Sequence, residues 1–171
     1  KRRKKMIKLK RSIYSAVLLF ALIMFNVAVI EAQFAGGEGT EERPYRVDNA
    51  LHLNNVRDYL TSHFIQTSDI DLSEPEWTEE EGWVPIGVSR AESFDGVFDG
   101  NGFVIINLTI DRDHNFQGLF GVTQGAIIKR VSVVNANVTG ASATGSIIGA
   151  AEHNTSTIDC YAEGVITGTL G

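Results

Sequence analysis

The chain has 171 residues and a formal net charge of −6, and its charge is divided unevenly along the sequence. Residues 1–12 hold eight of the 15 Lys and Arg residues, whereas residues 33–171 hold seven Lys and Arg against 20 Asp and Glu, a net charge of −13. Such an acidic body repels phosphate backbones, so the charge excludes nucleic acid as an expected partner.

The N-terminus has the organisation of an export signal. A basic stretch precedes "SIYSAVLLFALIMFNVAVI" (12–30), which has no charged residue. About 20 apolar residues can span a bilayer, whereas a signal-peptide core is usually shorter. We therefore predict a cleaved signal peptide or a retained membrane anchor at 1–32, with a buried core helix as a third interpretation. In both export interpretations the acidic body lies outside the cytoplasm, and this segment is the only expected contact with a membrane.

The next two segments are predicted to precede the main repeat. Residues 33–43 are rich in Gly and Glu and lack apolar periodicity, which indicates a flexible spacer. Residues 44–93 contain a helix signal at 48–60, a strand signal at 63–73 and both tryptophans of the chain. We predict that 44–93 is an N-terminal capping segment that covers the exposed edge of the first strands.

Residues 94–171 change in composition and contain a repeat. They hold 12 of the 17 glycines and short runs of β-branched residues, a pattern of many short strands. The glycine-bounded segments 121–140 and 149–168 have equal length, and each bounding glycine of the first lies 28 residues before its counterpart in the second. A period of this size indicates a stacked repeat.

The strand alternation predicts how these repeats pack. Within each run, apolar side chains recur every second residue, as on one face of a strand, and each stripe is too short to form a core alone. The fold class predicted is all-β: a right-handed parallel β-helix (solenoid) at 94–171, with the N-terminal α/β cap and the hydrophobic signal or anchor helix before it. One repeat per turn would pair Val138 with Ile166. The pattern stops within a repeat, which predicts further repeats after Gly171.

Several of these segments together resemble the GLUG-motif repeat proteins, which are bacterial and archaeal surface or secreted proteins. The resemblance covers about residues 39–171 and includes "PYRVDNALHLNNVRDYL", "SDIDLS", "WVPIG", "FDGVFDGNGFVIINLTI" and "IIKRVSVVNANVTG". The Gly-Leu-x-Gly signature matches at 118–121, while the second copy at 146–149 begins with Ser and has Ile for Leu. The resemblance implies long extracellular β-helical stalks or passengers associated with adhesion, and some members stand beside peptidase domains. It supplies no catalytic residues. The repeat-signature residues are Gly118, Leu119, Phe120, Gly121, Gly140, Ile147, Gly149 and Gly168.

The residues that could form a catalytic or metal site also have simpler structural explanations. The scattered histidines lack zinc-ligand spacing, and "DRDHN" (111–115) has Phe116 where an EF-hand loop needs glycine. Trp77 and Trp83 offer a sugar-stacking platform, with core packing as the alternative, and Cys160 is expected to be a small inward-facing hydrophobe. No catalytic, cofactor-binding or metal site is predicted. Carboxylates of a β-helix hydrolase or lyase would come from Asp95, Asp99, Asp111 and Asp113, beside Arg90 and Arg112.

These features predict an exported cell-surface or secreted protein that is a non-catalytic adhesin, stalk or passenger and not an enzyme. Its expected partners are surface glycans or host and other extracellular proteins, and no cofactor is expected. Two alternatives are open. One is a carbohydrate-active enzyme on the same β-helix, and the other is the N-terminal part of a surface peptidase whose catalytic domain lies beyond residue 171.

Overall fold

The computed structural model describes residues 33–168, and these residues are mostly β-structure. The chain divides into two units, residues 1–33 and Phe34–Gly171, and the second is the folded body described below. The predicted signal peptide or anchor at 1–32 lies outside the described residues. Among the described residues, no helix has both the length and the apolar character needed to cross a membrane.

Twelve short strands and three short helical segments account for the regular structure of residues 33–168. The helical segments are α1 (Ala50–Asn55), a 3₁₀ turn (Val56–Asp58) and α2 (Pro75–Thr78). The strands are β1 (Tyr45–Val47), β2 (His63–Gln66), β3 (Ile70–Asp71), β4 (Val97–Asp99), β5 (Val104–Ile106), β6 (Thr109–Asp111), β7 (Phe120–Gln124), β8 (Ile127–Lys129), β9 (Ser132–Gly140), β10 (Ile148–Glu152), β11 (Ser156–Ile158) and β12 (Tyr161–Gly168).

The strands form three sheets in which every strand pair is parallel. Sheet I has the order β1-β2-β4-β8-β11, and sheet II consists of β7 and β10. Sheet III has the order β3-β5-β9-β12, with β6 also paired to β9. Parallel neighbours require a crossover. The β1–β2 connection consists of α1 and the 3₁₀ turn, whereas every other crossover within a sheet passes through at least one strand of another sheet.

The 28-residue spacing of the glycines is the offset between β7 and β10 and, over most of their length, between β9 and β12. Val138 pairs with Ile166, as the spacing predicted, and Gly140 pairs with Gly168 in the same ladder of β9 and β12. In sheet II, Phe120 pairs with Ile148 at the same offset. Strand alternation then places equivalent side chains of successive repeats on the same face.

The core is built from aromatic rings in its N-terminal part and from aliphatic side chains towards its C-terminal part. Phe64 lies 6.1 Å from Phe94 and 6.3 Å from Phe98, measured between ring centroids. Phe120 continues the series, 5.0 Å from Phe94 and 5.5 Å from Phe98. All four rings are buried, and such contacts add to the stabilisation from apolar burial.

The predicted fold class is wrong in its specific form. The structure shows three parallel sheets of five, two and five strands, and it does not show a single right-handed β-helix behind a separate α/β cap. The segment 44–93 supplies β1 and β2 to sheet I and β3 to sheet III, so it is part of the sheets. The described residues also contain no long apolar helix. The physical reason is shared burial: the Phe64 ring of the earlier segment packs on Phe94 and Phe98, so the two segments have one core.

The predicted flexible spacer at 33–43 belongs, from Phe34 onward, to the folded body. The Phe34 ring is fully buried and stacks on Tyr45 with 4.5 Å between centroids. The Ala35 amide donates to the Arg46 carbonyl, and the Arg46 amide donates to the Gly36 carbonyl, so this arm runs along the free edge of β1. The Gly- and Glu-rich composition of 33–43 gave no indication that Phe34 would be buried in the folded body.

Candidate functional site

The first repeat signature lies at the start of β7 and is buried. Leu119 and Phe120 are fully buried, and the Leu119 carbonyl accepts a hydrogen bond from the Trp83 indole at 3.3 Å. The second copy lies at the start of β10, where Ile147 and Gly149 are half-buried. The signature therefore positions core side chains.

Glycine at three of the signature positions allows neighbouring backbone segments to approach one another closely. A Cβ on Gly121 would lie 2.5 Å from the Gly87 carbonyl oxygen, and one on Gly118 would lie 2.7 Å from the Gly145 oxygen. A Cβ on Gly149 would lie 2.8 Å from the Gly121 oxygen. Real Cβ atoms do not approach backbone oxygens this closely, so only glycine fits at these positions.

The other two signature glycines differ from each other. A Cβ on Gly140 would lie 2.5 Å from the Thr144 hydroxyl and 2.6 Å from Cγ of Gln117. At Gly168 the closest atom to a Cβ would be the Ala141 oxygen, at 3.6 Å. Gly168 is therefore the signature glycine that has room for a side chain.

The outer face of sheet I is a candidate binding surface. We use this name for the outward side chains of β1, β2, β4 and β8. In register, one row of this face contains His63, Val97 and Ile127. The second row contains Arg46, Ile65, Asp99 and Lys129. A hollow of about 400 Å³ lies over this face, which is in the size range of small-molecule sites.

Asp99 is the charged centre of this face. Its carboxylate accepts hydrogen bonds from Arg130 at 2.6 and 2.9 Å, and the Lys129 ammonium lies 3.3 Å away. It also accepts from the Asn101 amide at 2.9 Å, which closes the turn after β4. Burial raises the pKa of Asp99, but the hydrogen bonds from Arg130, Asn101 and Lys129 outweigh burial, so the pKa is below its ordinary value.

Asp99→Asn is expected to lower the free energy of unfolding by about 2 kcal/mol at pH 7, because it removes the carboxylate that Arg130 and Lys129 share. Since the folded-state pKa lies below the unfolded value of about 3.9, this stabilisation is present above that pH and is lost as the pH falls through the folded-state pKa. Urea unfolding at pH 7 and about pH 3 measures the difference between wild type and variant. Asp95→Asn, at an exposed position, is the matched control, and it should lower the free energy of unfolding by about 0.5 kcal/mol or less. If the free energies of unfolding of wild type and Asp99→Asn differed more at the acidic pH than at neutral pH, the stabilising role given to the ionised Asp99 would be contradicted.

A ladder of side-chain amides crosses one corner of sheet III. Asn135 donates to the Asn107 side-chain oxygen at 2.6 Å, and Asn107 donates to the Asp71 carboxylate at 2.8 Å. Both asparagines have positive φ, a conformation that Asn tolerates better than most residues. Hydrogen bonds from Asn107 and Ser73 lower the pKa of Asp71. The sequence analysis missed this ladder, although the two asparagines lie 28 residues apart.

The acids considered for hydrolysis do not converge on one site. Asp95 accepts from the Ser93 hydroxyl at 2.6 Å, whereas Asp99 meets Arg130. Asp111 and Asp113 lie at and beyond the end of β6. Within residues 33–168, no group of three or more His, Cys, Asp and Glu side chains is placed to hold a metal ion.

The basic residues and tryptophans considered with those acids have structural contacts. Arg90 binds Glu152 at 2.8 Å, and Arg112 binds Glu81 and the Gly82 carbonyl. Trp77 and Trp83 are both buried, 5.7 Å apart between ring centroids, so they form no exposed sugar-stacking platform. Cys160 is half-buried, with its thiol 3.5 Å from the Ile128 carbonyl oxygen.

Comparison with known proteins finds relatives that are far longer than this chain. No family model matches the chain. It is 43% identical over 110 residues to a protein of Evansella cellulosilytica named as a Gly-rich membrane protein, a match to 62% of this chain and 13% of that protein. It is 36% identical over 123 residues to halomucin of Haloquadratum walsbyi, a match to 66% of this chain and 1% of halomucin.

A solved structure shares the fold. It is the crystal structure of a Bacteroides ovatus protein described as an immunoglobulin A1 protease, with a TM-score of 0.59 and 24% sequence identity. The similarity covers 78% of this chain and 41% of that one. At this identity the likeness establishes common architecture.

Proposed function

We propose that the chain is an exported module of a cell-surface or extracellular protein and that it acts as a non-catalytic adhesin, stalk or passenger. The observation that carries the proposal is the pair of sequence matches. Each match covers a small part of a much longer protein, one named as a membrane protein and the other as halomucin. A unit that recurs inside such different long chains is expected to have a modular role.

The physical character of the folded body supports the same proposal. Its net charge of −13 from residue 33 onward favours a solvated exterior. Several of its parallel strand pairs share a 28-residue offset, and the pairing places outward side chains in rows. Rows of fixed side chains suit weak contacts that are repeated many times along a surface ligand. The signature at 118–121 also supports our proposal that the chain is a GLUG-motif repeat protein.

Surface exposure is tested with the full chain carrying an epitope tag after Gly171, produced in a Gram-positive bacterium. We expect protease treatment of intact cells to remove the tag, because an exported body lies outside the membrane. A tagged cytoplasmic protein in the same cells is the control and should stay intact until lysis. Full protection of the Gly171 tag in intact cells, with cleavage after lysis, would overturn the proposal.

A second candidate function is that of a non-catalytic part of a surface peptidase. The observation that favours it is the shared fold with the Bacteroides ovatus protein described as an immunoglobulin A1 protease. Incubation of the full chain with immunoglobulin A1 and with pectin-like polysaccharides tests for catalysis directly. We expect no cleavage products from either substrate. Turnover that is abolished by Asp95→Asn or Asp99→Asn would favour an enzyme.

A further inference from the structure

Two adjoining hollows share no lining residue with the outer face of sheet I. Pro85 and Val88 line both hollows, so we call the two together the Pro85 cleft. The smaller hollow has a volume of about 170 Å³ and the larger one about 250 Å³, and together they reach the size range of small-molecule sites. The smaller hollow is also lined by Val84, Arg112, His114, Asn115, Phe116 and Gln117.

Two arginines hold the backbone where the first wall of the cleft begins. Arg57 donates to the Val84 carbonyl at 2.8 Å. Arg112 donates to the carbonyls of Gly82 and Trp83 at 3.0 and 3.3 Å. Three successive carbonyls are therefore fixed, and Val84 beside the cleft is 38% exposed.

The other end of this wall is fixed by pairing with β7. The Ile86 amide donates to the Leu119 carbonyl at 3.0 Å, and the Gly87 carbonyl accepts from the Val122 amide at 2.7 Å. Val88 follows directly and is 46% exposed. Because the backbone of this wall is held at both ends, its aliphatic side chains contact a ligand with little ordering cost.

The second wall contains an aromatic ring on a strained backbone. Phe116 has a φ of 66°, a region that bulky residues rarely adopt. Its amide donates to the Ser142 carbonyl at 3.1 Å, and the Arg90 guanidinium lies 5.0 Å from the centroid of its ring. Backbone strain of this kind is concentrated at binding sites, where the surrounding structure maintains it.

The cleft also has a buried acceptor without a donor. Gln117 is 4% exposed, and its Nε2 donates to the Asn115 carbonyl at 2.8 Å. Its Oε1 accepts no hydrogen bond from residues 33–168. An unpaired buried acceptor is unfavourable, so a ligand hydroxyl group that donates to it is stabilised. Asn115 accepts from the Ser142 amide at 3.0 Å through Oδ1, which leaves its side-chain NH₂ group to donate to a ligand.

The backbone of both walls is already hydrogen-bonded. Two arginines occupy the carbonyls of 82–84, and the amides of Phe116 and Gln117 donate to the carbonyls of Ser142 and Ala143. A peptide that binds as an added strand needs free backbone partners. Recognition in the cleft therefore depends on side chains.

The charges of the cleft are nearly balanced. Arg112 pairs with Glu81 at 2.5 Å. Arg57 lines the larger hollow together with Asp58 and Glu92. Two cations face three acids, so an anion meets the acids and a cation meets the arginines. An uncharged ligand avoids both repulsions.

We infer that the Pro85 cleft binds neutral sugar units of a surface glycan. The C–H face of a sugar ring contacts Val84, Val88 and Phe116, and one of its hydroxyl groups donates to Gln117 Oε1. A sugar ring presents an apolar face and hydroxyl groups together, which matches the apolar walls and the few polar groups of the cleft. The inference rests on the proposed function and deepens it, because it names the class of surface ligand.

The test measures binding of the full chain, purified in a detergent without a sugar headgroup, to immobilised polysaccharides. The neutral probes are dextran, mannan and galactan, and the charged probes are polygalacturonate and chitosan. We expect binding to at least one neutral probe, with a change of less than about twofold between about 50 and about 500 mM NaCl, because no ion pair is involved. Absence of binding to all three neutral probes, or binding to a charged probe alone, would overturn the inference.

A matched pair of exposed aliphatic residues locates the binding surface. Val88→Ser should weaken binding to the neutral probe about fivefold, because an apolar contact with the sugar ring is lost. Leu51→Ser makes a similar change on α1, where Leu51 is 51% exposed, and binding should stay within about twofold of wild type. Equal losses in the two variants would overturn the inference.

Phe116→Asn tests the aromatic wall, because Asn tolerates positive φ while the ring is removed. We expect about tenfold weaker binding, with the far-UV circular dichroism of wild type retained. A folded Phe116→Asn protein that binds like wild type would contradict the inference. If this variant does not fold, the comparison of Val88→Ser with Leu51→Ser decides alone.

The two failures are distinguishable. If the tag after Gly171 is exposed on intact cells while no neutral polysaccharide binds, this inference fails and the proposed surface function stands. If the tag is protected, the proposed function fails whatever the polysaccharide result.

Discussion

Phe120→Ala is expected to lower the free energy of unfolding by about 3–5 kcal/mol, the largest loss of the substitutions considered for this chain. The Phe120 ring is fully buried and lies 5.0 Å from the Phe94 ring and 5.5 Å from the Phe98 ring. Its removal takes away apolar burial and both ring contacts, and it leaves a cavity where sheets I and II meet the loop that carries Phe94.

The matched control for Phe120 is its partner in the neighbouring strand. Ile148 pairs with Phe120 in sheet II but is half-buried. Ile148→Ala should lower the free energy of unfolding by about 1 kcal/mol, because much of the apolar surface of Ile148 is already exposed to water. Urea unfolding, with the slope compared between variants, measures both losses. A loss at Phe120 no larger than that at Ile148 would contradict an aromatic core at this place.

The parallel pairing of residues 121–168 could be predicted from sequence because it follows a local pattern. Two-residue alternation fixes which side chains share a face, and the glycine spacing fixes the offset between strands. Val138 and Ile166 are therefore paired as expected. The same period predicts partners for Asn107 and Asn135, and it would have revealed their hydrogen bond had it been applied to polar residues.

The role of the N-terminal part of the body could not be predicted in the same way. Its contacts are between aromatic rings at irregular separations, such as Phe34 with Tyr45 and Phe64 with Phe94. No periodic signal marks such contacts, because a ring can reach any neighbour about 4.5–7 Å away. The composition of 33–43 and 44–93 therefore indicated a spacer and a cap, whereas the structure makes both parts of the folded body.

The charged site was predictable in part. Turn chemistry accounts for Asp99, whose carboxylate accepts from the Asn101 amide as the Asp-Gly-Asn sequence suggests. Its ion pair with Arg130 spans 31 residues and depends on the register of β4 with β8. The row from Arg46 to Lys129 depends on two further registers. Offsets of 19, 34 and 30 residues between these strands differ from the glycine period, so the period alone could not assemble the row.

Gly121→Ala is expected to lower the free energy of unfolding by about 3 kcal/mol, although it adds a single methyl group. That methyl group would lie 2.5 Å from the Gly87 carbonyl oxygen and 2.8 Å from the Phe116 carbonyl oxygen. The Phe116 oxygen belongs to the loop before β7. The Gly87 oxygen belongs to a segment that runs beside β7, and it already accepts from the Val122 amide at 2.7 Å. Relief of the clash therefore requires movement of the backbone and loss of a sheet contact.

Gly168→Ala is the matched control for Gly121→Ala, because it makes the same chemical change at another signature glycine. Its methyl group would lie 3.6 Å from the Ala141 carbonyl oxygen, which is ordinary contact, so the expected change is about 0.5 kcal/mol or less. Thermal and urea unfolding of the two variants measure the comparison. If Gly121 and Gly168 were needed only to bind a ligand, both variants would have the same free energy of unfolding as wild type. A loss confined to Gly121→Ala assigns the glycine at this position to close backbone packing, and equal losses at both positions would contradict that assignment.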